Sequence, residues 1–131
     1  MNNSTPEENY KFKKFLPYAL DGTNYELAYK ASDDILAFMI KKEHAMSHWL
    51  CKVEFEKMQD QYIKEIKFFY GSVEEFTESF YEKVNSKEIF LEEHEDHIEL
   101  SFYEVIRKNK KIKILFTLIK IFIFLFLRMT S

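Results

Sequence analysis

Apolar residues recur along this chain with two different periods, and the change of period marks its elements. From Phe55 to Asn85 the spacing is helical: Met58, Tyr62, Ile66 and Phe69 fall on one face, and Val73, Phe76, Phe80 and Val84 form a second stripe. Gly71 stops the first helix. Ser72 is placed to cap the second, with Glu75 where a capping box puts its reciprocal acid. Two amphipathic helices joined by so short a link predict an αα-hairpin, and its stripes call for a sheet to cover them.

The flanking segments alternate with period two. Tyr25, Leu27, Tyr29 and Ala31 alternate with Glu26, Ala28 and Lys30, Ser32-Asp33-Asp34 turns, and Ile35 to Lys41 is apolar on both faces. Trp49, Cys51, Val53 and Phe55 alternate with Leu50, Lys52 and Glu54. Beyond the helices, Ile89 and Leu91 open a strand, His94-Glu95-Asp96-His97 turns, and Ile98, Leu100 and Phe102 resume the alternation. After a second turn at Arg107 to Lys110, Ile112, Ile114, Phe116 and Leu118 predict the last strand. Lys11 to Leu20, broken at Pro17, reads as an edge strand or an irregular arm. The expected fold class is therefore α+β: antiparallel β-meander sheets packed with a central αα-hairpin. Residues 1–10 form a polar tail, 11–118 a single domain and 119–131 a hydrophobic C-terminal segment.

That last segment carries two readings. Ile114 to Leu127 is interrupted only by Thr117 and Lys120. As a helix it would reach about 21 Å, short of a hydrocarbon core of about 30 Å. The strand reading pairs Ile112 to Leu118 with its neighbour and leaves Ile121, Phe122, Ile123, Phe124, Leu125, Phe126 and Leu127 as candidates for membrane contact. The alternative is a tail anchor flanked by the basic cluster from Arg107 to Lys113, as the positive-inside rule expects.

Composition narrows the chemistry. The 131 residues suit one domain, and only two glycines and two prolines argue against phosphate-cradling loops and flexible linkers. A single cysteine, Cys51, rules out an internal disulfide framework and reads as a small buried hydrophobe. Trp49 leads an alternating strand and reads as a core anchor. Met1 to Asn9 has no apolar core of a secretory signal, which sets a cytoplasmic location as the expectation. Charge is asymmetric within a net −3: ten acids against two lysines lie between Ser72 and Glu99, and seven bases with no acid follow from Arg107.

Candidate chemistry is thin. The histidines form two pairs, His44/His48 and His94/His97, which Glu43 or Glu95 would complete as a three-ligand metal site, but the spacing is not that of a zinc protease and the second pair sits in a turn. Carboxylate pairs at Glu92/Glu93 and Glu95/Asp96 lie among many other acids, the mark of a solvated face. No nucleophile elbow or phosphate loop occurs, so no catalytic, cofactor or metal residue is assigned and no cofactor is expected. The lysine cluster before the last strand could touch phosphates, but its aromatic neighbours alternate as core residues and the rest of the domain is acidic, which argues against nucleic acid as a partner. Ile35, Ala37, Met39, Leu115 and Ile119 fall off the core face of their strands and are the candidate interaction surface for a protein partner or for self-association.

The order strands, helical hairpin, strands over Tyr25 to Leu118 resembles the globular head shared by centriolar cartwheel proteins and the double-strand-break-repair scaffold that binds DNA ligase. The resemblance implies a β-sandwich closed by a helix-turn-helix. The heptad stalk that follows the head in that family has no counterpart in this sequence, so it implies architecture alone. The expected function is a non-enzymatic, intracellular protein-interaction or scaffold module, with a small tail-anchored membrane protein as the alternative.

Overall fold

The computed structural model describes residues 12–17, 24–43, 47–62, 70–106 and 110–122. Four strands come first: β1 (Phe12–Pro17), β2 (Asn24–Ser32), β3 (Ile35–Lys42) and β4 (Ser47–Glu54). Two helices follow, α1 (Phe55–Tyr62) and α2 (Val73–Asn85), and then β5 (Phe90–Glu93), β6 (His97–Val105) and β7 (Lys111–Phe122). All seven strands join one antiparallel sheet in the order β1-β2-β3-β4-β7-β6-β5.

The seam is the pairing of β4 with β7, Leu50 opposite Ile119 and Ser47 opposite Phe122. It makes the C-terminal strand central and the short β5 an edge. The sheet also curls into a half-barrel. Tyr25 of β2 donates to Glu93 Oε1 of β5 at 2.6 Å, and Lys42 Nζ lies 3.3 Å from the same oxygen, although four strands separate β2 from β5 in the sheet order.

Period-two alternation selects the inner face. Tyr29 lies opposite Phe38, Leu100 opposite Phe116 and Phe102 opposite Ile114, all buried. Helix α2 fills the curl. Its Phe76, Phe80 and Val84 are buried at the spacing of one helical stripe, each withdrawal from water contributing about 1.5–3 kcal/mol. Phe80 meets Tyr29 at 5.2 Å, Phe38 at 5.3 Å and Phe102 at 5.6 Å, and Phe76 meets Phe116 at 6.1 Å. One helix is thus shielded by strands from both halves of the chain.

Local signals set the ends of α2. Ser72 Oγ accepts from the Glu75 N–H at 3.2 Å, and the Glu75 carboxylate reaches back to the Gly71 N–H at 2.7 Å, one residue before the cap. At the other end the Lys87 N–H bonds Val84 O and the Glu88 N–H bonds Lys83 O, a Schellman stop that puts Lys87 at φ 61°.

Polar contacts pin the flanks of the helix. Tyr29 and Thr77 share a hydrogen bond of 2.7 Å toward β2, and burial pushes the Tyr29 hydroxyl up to about 12. Toward β6, the buried Glu104 accepts from Tyr70 and, at 2.7 Å, from Ser79, with Lys83 Nζ 3.5 Å away. Burial and the adjoining Glu104 carboxylate raise the Tyr70 hydroxyl. A carboxylate facing a core needs such a set of donors.

The fold class differs from the expectation. The protein is mostly β, a single curled sheet with two short helices, and neither α+β nor helical hairpin describes it. Two physical reasons explain the difference. Alternation in β7 continues past Leu118, with Lys120 inward and Ile119 and Ile121 outward, so a twelve-residue strand reaches both β6 and β4 and fuses the two meanders. The helices also contribute unequally: α1 has eight residues with Phe55 and Met58 buried, while α2 carries the full stripe. Ile66 and Phe69 of the expected first stripe lie outside the described residues. Among the described residues no helix is long and apolar enough to cross a membrane.

Candidate functional site

The outer face of the sheet gathers the candidate residues. Because alternation commits Leu36, Phe38 and Ile40 inward, Ile35, Ala37 and Met39 point to the other side, and the same parity puts Leu115, Ile119 and Ile121 of β7 outward. Register then builds a row across the sheet: Ala28 pairs with Met39, Met39 with Leu50, Leu50 with Ile119 and Ile119 with His97. Met39 and Leu50 are half-buried, and Ile119, on a central strand, is 57% exposed. Ala37 is buried beside Lys30 and Lys52, Ile35 sits next to the β2–β3 turn, and Leu115 lies opposite Ser101. The row is flanked by Lys30 and Lys52 on one side and by Lys41 and His48 on the other. Partial burial, then the Lys41 charge, pulls His48 below its ordinary value.

Of the membrane-contact candidates, Ile121 is half-buried in β7 opposite His48, and Phe122 ends the strand opposite Ser47. Ile123, Phe124, Leu125, Phe126 and Leu127 lie outside the described residues, as does His44. Trp49 is fully buried on the inner face with Lys120 Nζ 5.9 Å from its ring centre, and Cys51 is a half-buried free thiol raised by burial.

At the β5–β6 end the row meets a polar cluster. Glu92 lies directly opposite Glu99, and His94 N–H bonds His97 O at 2.8 Å across the two-residue Glu95-Asp96 turn. Glu92, His94, His97 and Glu99 therefore stand on one face as two cross-strand pairs. The imidazole rings stack at 4.4 Å. His94 Nε2 is 3.8 Å from Glu99 and 3.7 Å from Glu92, and His97 Nε2 is 3.7 Å from Glu99. His97 Nδ1 and Asp96 Oδ1 are 2.7 Å apart, which raises His97 and lowers Asp96. Glu95, weighed from sequence beside Glu43 as a third ligand, takes no part in this square. Beside it lies a depression of about 340 Å³, lined by Phe90, Glu99, Tyr103 and Lys113, in which the exposed Phe90 and Tyr103 rings meet edge to face at 6.3 Å.

Sequence reasoning placed all five interaction candidates on the outer face but did not name Leu50, which links Met39 to Ile119. It also missed Glu92 and Glu99. The missed signal is a palindrome, Glu92-x-His94-x-x-His97-x-Glu99, folded about a two-residue turn so that alternation brings all four side chains to one side.

No family model, curated protein or solved structure matches this chain.

Proposed function

We propose that this protein is a non-catalytic protein-interaction module that docks a partner on the outer face of its sheet. The observation that carries the reading is the exposure of Ile119 in line with Leu50 and Met39 at the middle of the sheet, where a solvated face would place polar residues. Lys30, Lys41 and Lys52 border the row, with Glu26 opposite Lys41, so the fitting partner presents apolar side chains rimmed by polar groups of mixed charge. The inner face is occupied by interlocking aromatic side chains, which supports a binding rather than a turnover role. The tail-anchor alternative is weakened by β7, which commits the run through Phe122 to the sheet. An intracellular setting remains part of the proposal, and we propose the likeness to cartwheel and repair-scaffold heads only in the order strands, helices, strands.

Photo-crosslinking from an unnatural residue at position 50, in the cells that make the protein, tests the reading. A discrete crosslinked protein that disappears with Ile119→Lys, while far-UV circular dichroism is unchanged, supports it. A crosslinking pattern indifferent to Ile119→Lys, or equal to that from position 81 on the exposed side of α2, refutes it.

A further inference from the structure

We propose that the β5–β6 hairpin is a binding site for a divalent transition-metal ion, zinc fitting best, held by His94, His97 and Glu99 with Glu92 as the fourth ligand. Four observations converge. First, ligand atoms of His94, His97 and Glu99 all lie within 4.8 Å of one another, and the histidine-to-carboxylate separations are 3.7–3.8 Å. Tetrahedral zinc with bonds of about 2.0–2.1 Å sets its ligands about 3.4 Å apart, so the shell closes when the stacked imidazoles turn their Nε2 atoms toward a common point and the exposed Glu92 carboxylate swings in.

Second, His94 Nε2 is buried and lacks a hydrogen-bond partner, a position that costs free energy until a proton donor or a cation fills it. Third, Asp96 holds His97 from behind. With Nδ1–H donating to Asp96 Oδ1, the neutral ring turns the Nε2 lone pair toward Glu99, the carboxylate–histidine arrangement that orients ligands around zinc. Fourth, Glu92 stands directly opposite Glu99, and like charges facing each other across a strand pair are destabilising. A dication between them turns that repulsion into attraction. Lys113 borders the same depression, opposite Tyr103.

The donor set decides the metal and the role. Two imidazoles and two carboxylates suit zinc over calcium or magnesium, which select all-oxygen shells. Four protein ligands close the shell, the mark of a structural ion. The ion would staple the four-residue edge strand β5 to β6 and fix the margin of the outer face beside Ile119. Binding forms metal–nitrogen and metal–oxygen bonds, and any Nε2 proton on His94 or His97 leaves to solvent, with no redox change. The site stands or falls independently of the docking proposal, because Ile119→Lys leaves all four ligands in place.

The full-length, untagged chain titrated with zinc chloride at pH 7.5 tests this, read by histidine ring resonances and by isothermal calorimetry, with cobalt(II) as the spectroscopic stand-in. The expected result is one equivalent bound with a Kd of about 1 μM or tighter. The His94 and His97 rings should shift while His48 does not, and cobalt should give the visible bands of a tetrahedral complex. His94→Ala/His97→Ala should weaken binding at least about 100-fold, and Asp96→Asn, on the exposed turn, about 10–100-fold. Absence of binding to the wild-type chain at about 100 μM zinc, binding unchanged in the double variant, or shifts confined to His48 would each overturn the site.

Discussion

Strand β6 carries two carboxylates that face opposite ways, and their surroundings divide the molecule. Glu104 points into the curl, where Tyr70, Ser79 and Lys83 surround it. Glu99, five residues earlier and on the outer side, faces another carboxylate and two imidazole nitrogens at 3.7–3.8 Å. The first site is complete within the chain and works as structure: it fastens α2 to the sheet. The second gathers two facing carboxylates and two imidazoles at an exposed turn, the arrangement on which the proposed metal site rests. The same contrast holds for apolar groups, since the inner aromatic residues touch one another on all sides while Ile119 faces out.

Substitutions on the inner side should cost most. Phe80→Ala removes a fully buried ring that meets Tyr29, Phe38 and Phe102, and should lower unfolding free energy by about 3–5 kcal/mol in urea titrations. A loss below about 1 kcal/mol would mean that the core is not centred on α2. Glu104→Ala removes the acceptor shared by Tyr70 and Ser79 and the nearer carboxylate of Lys83, and should cost about 2–4 kcal/mol. The matching change outside, Glu99→Ala, should lie within about 0.5 kcal/mol of neutral in metal-free protein, because it also relieves the repulsion from Glu92. Equal costs at the two positions would erase the distinction between them.

The exposed pair at the turn gives a pH signature rather than a large energy. Hydrogen bonding to Asp96 raises His97 above 6.5, so its contribution is fully present below that value and fades as pH climbs through the raised pKa. Asp96 is lowered from 3.8 by the same bond, so its contribution is present above 3.8 and is lost as pH falls through the lowered value. Metal-free protein should therefore show its Asp96–His97 stabilisation between about pH 3.8 and 6.5, and Asp96→Asn should flatten that window in thermal melts. With zinc the trend reverses, since the ion needs His97 unprotonated and should bind more tightly as pH rises. Smallest of all is Ile119→Lys, expected to change stability by no more than about 0.5 kcal/mol while abolishing partner crosslinking.

Much of the inner side was legible in the sequence. Ser72, Glu75 and the stripe of Phe76, Phe80 and Val84 mark α2 because capping and helical spacing are local, and alternation in β2, β3, β4 and β6 sorts residues to faces for the same reason. What the sequence hides is which strands meet. Pairing of β4 with β7 joins residues about seventy apart, and the apolar run past Leu118 looks the same whether it overhangs, enters a bilayer or continues a strand covered on one side and half covered on the other. The fold class was misjudged at that point, with two meanders expected where one sheet exists. The histidine square was hidden by a different omission. The turn is visible in the sequence, but the acids that join its histidines lie not within it, at Glu95, but two residues outward along each strand at Glu92 and Glu99, where a hairpin's pleat brings side chains together.

All of this depends on the pairing of the C-terminal strand at the centre of the sheet, which fixes the exposure of Ile119 and its place beside His97. Cross-strand backbone nuclear Overhauser effects in the isotope-labelled full-length chain measure it directly, in buffer and in lipid bicelles. Contacts between Leu50 and Ile119, and between His48 and Ile121, persisting in both media are the predicted result. Their absence, with the sequential amide contacts of a helix running on from Ile114, would contradict the account.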